Sequence, residues 1–132
     1  MVPLFFVALT LAQPAGDERY QPGVTLRLFQ LEDASLKAVP KLKEGQTPNV
    51  DELRPVINWK NADFPKVKAP FLSQTIALLV TTVDGDYTFR ITSDDGSLFT
   101  LDTKLVIDHN GTHGATAKES APVHLRPVGT RC

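Results

Sequence analysis

The sequence predicts an all-β fold, an antiparallel β-sandwich or barrel of short strands. From residue 73 onward, β-branched and aromatic residues alternate with polar ones, which is the pattern of strands with one buried face. Turn residues separate these runs, as in Asp84-Gly85 and Asp94-Asp95-Gly96. No segment keeps the period of an amphipathic helix. The 132 residues are enough for one domain with a modest core.

The first twelve residues are predicted to be a secretory signal peptide. They are apolar from Val2 to Ala12, too short for a membrane-spanning helix of roughly 20 apolar residues but long enough for a leader. The alternative is a first buried strand, since the segment has no Lys or Arg. The polar run that follows favours the leader, with the mature chain starting near Gln13. Residues 13–22 are then a linker, and the protein is secreted, at the cell surface or in the periplasm.

Residues 24–31 alternate as a strand, and a long irregular region follows. Residues 32–70 hold five prolines and no sustained apolar period, which predicts a surface excursion that returns to the sheet. Pro55 to Trp59 is predicted to be a short strand within it. Phe64, between Asp63 and a proline, is the aromatic expected to be exposed, whereas Trp59 is expected to pack into the core.

The remaining predicted strands follow closely on one another. Residues 74–83 are apolar enough for a strand buried on both faces, and Asp84-Gly85 after it predicts a hairpin turn. Further strands are expected over residues 87–92, 98–101, 104–108 and 123–126.

Two adjacent carboxylates, Asp94 and Asp95, lie in the turn after the predicted strand over residues 87–92. A turn needs one such residue, and vicinal carboxylates repel each other unless a cation or hydrogen-bond donors absorb the charge. One interpretation is a Ca²⁺ site, although Ca²⁺ takes roughly 6–8 oxygen ligands, so Asp108 and Asn110 would have to contribute. The other is that the aspartates bond only to the amides of their own turn.

Several motifs in order identify a family resemblance. They are Asp84-Gly85, Tyr87-Thr88-Phe89-Arg90, Ser93-Asp94-Asp95-Gly96-Ser97 and Lys104-Leu105-Val106-Ile107-Asp108. This order closely resembles the protective-antigen domain family, the PA-fourteen domain, over roughly residues 23 to 127. The resemblance implies a β-sandwich or barrel that serves as a non-catalytic carbohydrate-binding or adhesion module in secreted proteins. In the family's adhesin branch, two aspartates at the positions of Asp94 and Asp95, joined by a cis peptide, hold a Ca²⁺ that also ligates sugar hydroxyls.

The predicted site follows from this resemblance and from the loop after residue 108. Ligand-binding residues are Asp94, Asp95, Asp108 and Asn110, and the metal ligands for Ca²⁺ are Asp94, Asp95 and Asn110. The expected partner is a glycan or a cell-surface polysaccharide. The alternative function is a structural spacer, or a fragment, of a larger multidomain secreted enzyme.

Two departures from the family pattern stand out. Asp102-Thr103 replaces the Asp-Gly that many members have after the next strand, so this turn needs another geometry or a strained Thr. Residues 125–132 only begin a turn after which the family usually continues. The domain over residues 23–132 is therefore expected to be incomplete, without the last strands of the family, and to have an unpaired sheet edge.

Composition argues against other classes. The formal net charge is −1, with no basic run, so nucleic acid is not an expected partner. Cys132 is the only cysteine and allows no internal disulfide. His109 and His113 are expected to be surface residues of a loop, and no residues form a recognisable catalytic pair, so no enzyme activity is predicted.

Overall fold

The computed structural model describes residues 4–11 and 21–127, and this part of the chain is almost entirely β. Residues 1–3, 12–20 and 128–132, which include the predicted cleavage position and Cys132, lie outside it. The described elements are β1 Leu4–Leu11, β2 Val24–Gln30, β3 Val50–Arg54, a 3₁₀ turn Asn61–Asp63, β4 Phe71–Leu79, β5 Gly85–Tyr87, β6 Arg90–Ser93, β7 Ser97–Leu101, β8 Lys104–His109, β9 Thr116–Glu119 and β10 Val123–Leu125. The all-β prediction is confirmed.

One six-stranded sheet forms the centre, in the order β3-β2-β4-β1-β7-β8. Two short ribbons, β5 with β10 and β6 with β9, complete the described sheets. All pairs are antiparallel except those of β1, which runs parallel to both of its neighbours. The apolar segment over Leu4–Leu11 thus has the strand conformation that was the alternative to a leader. Removal of residues 1–12 on export stays a prediction.

The long segment between β2 and β4 contributes to the core on both faces of the sheet, which a surface excursion would not do. Phe64 and Val67 pack against Leu26, Leu28, Val50 and Phe71 on one face, while Leu31, Val39 and Leu42 cover Phe29 and Leu72 on the other. The expectation of an exposed Phe64 is wrong, since its side chain is only 2% exposed. Phe64 directly follows the 3₁₀ turn, where its N–H donates to the Asn61 carbonyl at 3.1 Å, and its ring packs against Trp59 and Phe71.

The strand within this segment lies earlier than predicted. β3 covers Val50–Arg54 and pairs with β2, whereas residues 55–59 form no strand. Pro55 has no N–H to donate to a ladder, so the strand ends at the residue before it.

The prediction of a hairpin turn at Asp84-Gly85 is wrong, because the strands before and after it do not pair with each other. β4 ends at Leu79, and Gly85 already begins β5, which pairs with β10.

The predicted strand over residues 87–92 is divided in two. The Phe89 N–H donates to the Ser120 hydroxyl oxygen at 2.9 Å, and the Ser120 N–H donates to the Phe89 carbonyl at 2.8 Å. Phe89 lies between β5 of one ribbon and β6 of the other.

The predicted hairpin of β7 and β8 is confirmed, and so is the altered geometry of its turn. Asp102 and Thr103 have φ values of 48° and 69°. Positive φ at both central residues is the mark of a type I′ turn, which normally selects Asn-Gly or Asp-Gly. Thr103 therefore holds a left-handed conformation that β-branched residues rarely adopt.

Candidate functional site

The candidate site has two parts, the aspartate turn (residues 93–97) and the histidine loop (residues 109–116). The aspartate turn leads from β6 to β7, which belong to different sheets. Ser93 and Ser97 are buried at its base with their side-chain oxygens 2.8 Å apart, and the Ser93 hydroxyl donates to the Asp95 carbonyl at 3.0 Å. Asp95 has φ 62°, which Asp tolerates better than most residues. The buried serines thus fix the turn from within.

Asp95 connects the aspartate turn to the histidine loop. Its N–H donates to the His113 carbonyl at 2.8 Å, and its carboxylate Oδ1 accepts from the His113 N–H at 3.1 Å. These reciprocal bonds hold two segments that lie 18 residues apart in the sequence. One of the two aspartates therefore has a structural role.

The imidazole of His113 is held between two backbone carbonyls. Its Nδ1 lies 2.9 Å from the Gly114 oxygen and its Nε2 lies 3.2 Å from the His109 oxygen. Both carbonyls are acceptors, and only the imidazolium can donate from both ring nitrogens. The bond to Gly114 and then that to His109 raise the pKa of His113; burial opposes the rise, and the charges of Asp95 and Asp94 add to it.

This arrangement predicts a pH-dependent contribution of His113 to stability. A pKa that is higher in the folded than in the unfolded state contributes stability below the usual value of about 6.5, and this contribution is lost as pH rises through the folded-state pKa. Thermal unfolding of wild type and His113→Gln between about pH 5 and pH 8 checks it. The advantage of wild type is expected to shrink as pH rises. A difference that is constant across this range would contradict the assignment.

The Asp94 carboxylate differs from that of Asp95. It is half-buried, and it accepts no hydrogen bond from the part of the chain that the structure describes. Its electrostatic interaction is with His113 across the turn. Asp94 is therefore an open acceptor, held in place by a turn that other residues fix.

The two predicted site residues beyond β7 lie at the end of β8 and in the histidine loop, and both already accept backbone hydrogen bonds. Asp108 Oδ1 accepts from the Asn110 N–H at 3.1 Å, which is an Asx-turn. Asn110 Oδ1 accepts from the N–H groups of Val39 at 2.7 Å and Gly111 at 3.0 Å. Among residues 21–127, no three His, Cys, Asp or Glu side chains are grouped so as to hold a metal ion. Asp108 therefore does not complete a three-carboxylate site with Asp94 and Asp95.

The chemistry of the aspartate turn suits Ca²⁺, but its donors are few. Asp94 and Asp95 offer hard carboxylate oxygens, of which one already accepts the His113 N–H. The bond between these aspartates is trans, because the cis peptide of the described chain is Ala69–Pro70. The cis geometry implied by the adhesin resemblance is thus not formed. A cation here would need further oxygens from water or from a bound ligand.

The described surface presents aromatic side chains only in part, with Trp59 and Phe89 half-buried. Its exposed large hydrophobic side chains are all aliphatic, and Phe99 is buried with Phe89 packed against it. Tyr87 is half-buried and donates its hydroxyl to the Val83 carbonyl at 2.7 Å. Recognition at this site would therefore rest on polar groups.

His113 is the residue of the candidate site whose contacts the sequence did not indicate. Its four-residue spacing from His109 is visible, but the two rings meet in a loop, with centroids 4.1 Å apart, and not on a helix face. Its connection to Asp95 is made through backbone atoms, for which residue types give no signal. The buried pair Ser93 and Ser97 was equally hidden, because serine is usual in turns.

These observations define an all-β domain with a polar site on the turn between two sheets. The model of the PA14 domain family matches residues 21–128, so the chain belongs to the PA14 domain family. Domains of this family occur in larger secreted proteins, commonly as carbohydrate-binding or adhesion modules. No curated protein and no solved structure matches the chain. Within the described residues, no helix has the length and apolar character needed to cross a membrane.

Proposed function

We propose that this domain is a secreted, non-catalytic module that binds a glycan or cell-surface polysaccharide as part of a larger protein. The observation that supports it most is Asp94, a half-buried carboxylate without a donor in the described chain, on a turn fixed by buried serines. Sugar hydroxyls donate well to such a carboxylate, and hydrogen bonds to charged acceptors are stronger than neutral ones.

Calcium would strengthen this binding by linking the two aspartates to sugar hydroxyls. Asp94 would supply both of its oxygens and Asp95 the one that does not accept the His113 N–H. Asn110, the third predicted ligand, would have to give up one of two hydrogen bonds, since a carbonyl oxygen has two lone pairs. The proposal therefore assigns the cation to Asp94 and Asp95, with the remaining oxygens from ligand and water.

A structural spacer is the second candidate, and a specific observation favours it. Three of the four predicted ligand-binding residues already accept hydrogen bonds from backbone N–H groups, Asp95 from His113, Asp108 from Asn110 and Asn110 from Val39. If Asp94 also has only a local role, the aspartate turn serves the fold alone.

Titration calorimetry with a panel of oligosaccharides, with and without Ca²⁺, separates these candidates. Wild type is expected to bind at least one glycan, and Asp94→Ala should lower the affinity by about tenfold or more, because a hydrogen bond to a charged group contributes about 1.5–3 kcal/mol. Ca²⁺ alone should give heat with wild type and little with Asp94→Ala.

Glu32→Ala is the matched control, because it removes one negative charge at an exposed position of another loop. It should bind like wild type. Absence of binding heat for wild type with every glycan, in the presence and absence of Ca²⁺, would favour the spacer.

A further inference from the structure

Strand β1 joins two parts of the central sheet that are not otherwise paired. On one side lie β3, β2 and β4, and on the other β7 and β8. In the described chain, β4 pairs with β2 and β1, and β7 pairs with β1 and β8, so no ladder joins β4 directly to β7. We call the space between β4 and β7 the central slot.

The central slot offers two parallel ladders to one strand. Residues Leu4 to Leu11 align with Leu72 to Leu79 of β4, and Phe5 to Leu9 align with Ser97 to Leu101 of β7. A strand at a sheet edge gains one ladder, whereas a strand in this slot gains two. A strand in this slot therefore has backbone hydrogen-bond partners on both of its sides.

Several polar side chains beside the slot are buried, while the rest of β4 from Ile76 to Leu79 is half-buried. Ser73 and Thr75 of β4 and Ser97 of β7 are all 0% exposed, and the Thr75 hydroxyl has no hydrogen-bond partner in the described structure. The buried clusters also divide here, with Leu26 and Leu28 in one and Phe99 and Ile107 in another. These two described clusters thus belong to strands on opposite sides of the slot.

The strand that fills the slot is the segment predicted to be removed on export. Its removal would leave the facing N–H and C=O groups of β4 and β7 unpaired, and each such buried group costs about 1–3 kcal/mol. Direct pairing of β4 with β7 would require the two halves to approach by roughly 5 Å, one strand spacing, and to repack both clusters.

We propose that the central slot is a strand-acceptor site, which in the exported protein binds an extended apolar segment of a partner chain. The segment enters parallel to β4 and β7 and spans five to eight residues, the lengths of the two ladders that β1 makes. Leu4–Leu11 itself, with Thr10 as its single polar residue, is the template for the chemistry of the occupant. Backbone hydrogen bonds supply affinity, as in other modes of strand addition.

The test begins with the full chain, because the domain without β1 is not shown to fold alone. A protease-recognition sequence inserted between residues 13 and 20 allows the chain to be cut after folding. The cut protein is then incubated with an excess of a fluorescent peptide that carries the sequence of residues 3–12 and a lysine tail for solubility. Uptake is measured by gel filtration, and stability by the thermal midpoint.

The cut domain is expected to exchange its own segment for the labelled peptide, one per copy, with the midpoint of the uncut protein. Retention of its own segment with no uptake of the excess peptide would overturn the proposal. A peptide with Val7→Pro should bind at least about tenfold more weakly, since proline removes a ladder N–H and restricts the backbone. Loss of the segment without uptake of the peptide, whether the rest stays folded or unfolds, would overturn the proposal. Glycan binding is not measured here, so this proposal and the proposed function can fail separately.

Discussion

Replacement of Phe64 with alanine is expected to lower the free energy of unfolding by about 3–5 kcal/mol. The ring is 2% exposed and packs edge-on against Trp59 and Phe71, with centroid distances of 5.8 and 5.4 Å. Its loss leaves a cavity and removes both aromatic contacts. Because small domains are stable by only about 5–15 kcal/mol, the effect should be plain in urea unfolding monitored by circular dichroism.

Val56→Ala is the control for this prediction. Val56 lies in the same long segment but is 58% exposed, so its truncation should change stability by less than about 0.5 kcal/mol. Equal unfolding midpoints for the two variants would show that the long segment is a surface excursion after all and does not contribute to the core.

Replacement of Gly23 with alanine should also destabilise the fold strongly. Gly23 has φ 119°, a conformation nearly confined to glycine, and a Cβ there would lie 2.5 Å from the Arg54 carbonyl oxygen. The backbone alone costs about 1–3 kcal/mol, and the contact adds to it because β2 and β3 pair at this point.

Gly45→Ala separates the two contributions. Gly45 has φ 72°, and nothing lies within 4 Å of a Cβ added to it, so only the backbone cost of about 1–2 kcal/mol applies. The prediction is a clearly larger loss for Gly23→Ala in the same denaturant series. Equal losses of unfolding free energy for the two variants would show that the contact with the Arg54 carbonyl oxygen costs nothing, because the ends of β2 and β3 move apart to relieve it.

The parts of the fold that the sequence predicts well are those specified by local patterns. Alternation gives β2, and the turn residues Asp102 and Thr103 lie between two alternating runs and give the hairpin of β7 and β8. β9 was missed because all of its side chains are exposed, so it shows no apolar alternation. The break at Phe89 was missed because it depends on Ser120, which is distant in sequence.

In the candidate site, too, the local features follow from the sequence, whereas the contacts between distant residues do not. Asp94 and Asp95 are adjacent, and their place in a turn follows from Gly96 and from the strands on either side. Their different roles do not follow, because Asp95 is selected by the N–H of His113, a group that every residue except proline has. The Asx-turn of Asp108, in contrast, is local, because its donor Asn110 lies two residues further along the chain.

We propose that the aspartate turn and the histidine loop form one polar binding site with Asp94 as its open acceptor. Amide chemical shifts of isotope-labelled protein, followed during titration with the glycan that calorimetry identifies and with Ca²⁺, test it most directly. We predict that the shifted amides cluster at Asp94, Asp95, Gly96 and His113, and that Asp94→Ala abolishes these shifts. Shifts that lie elsewhere, or that persist in Asp94→Ala, would contradict the claim.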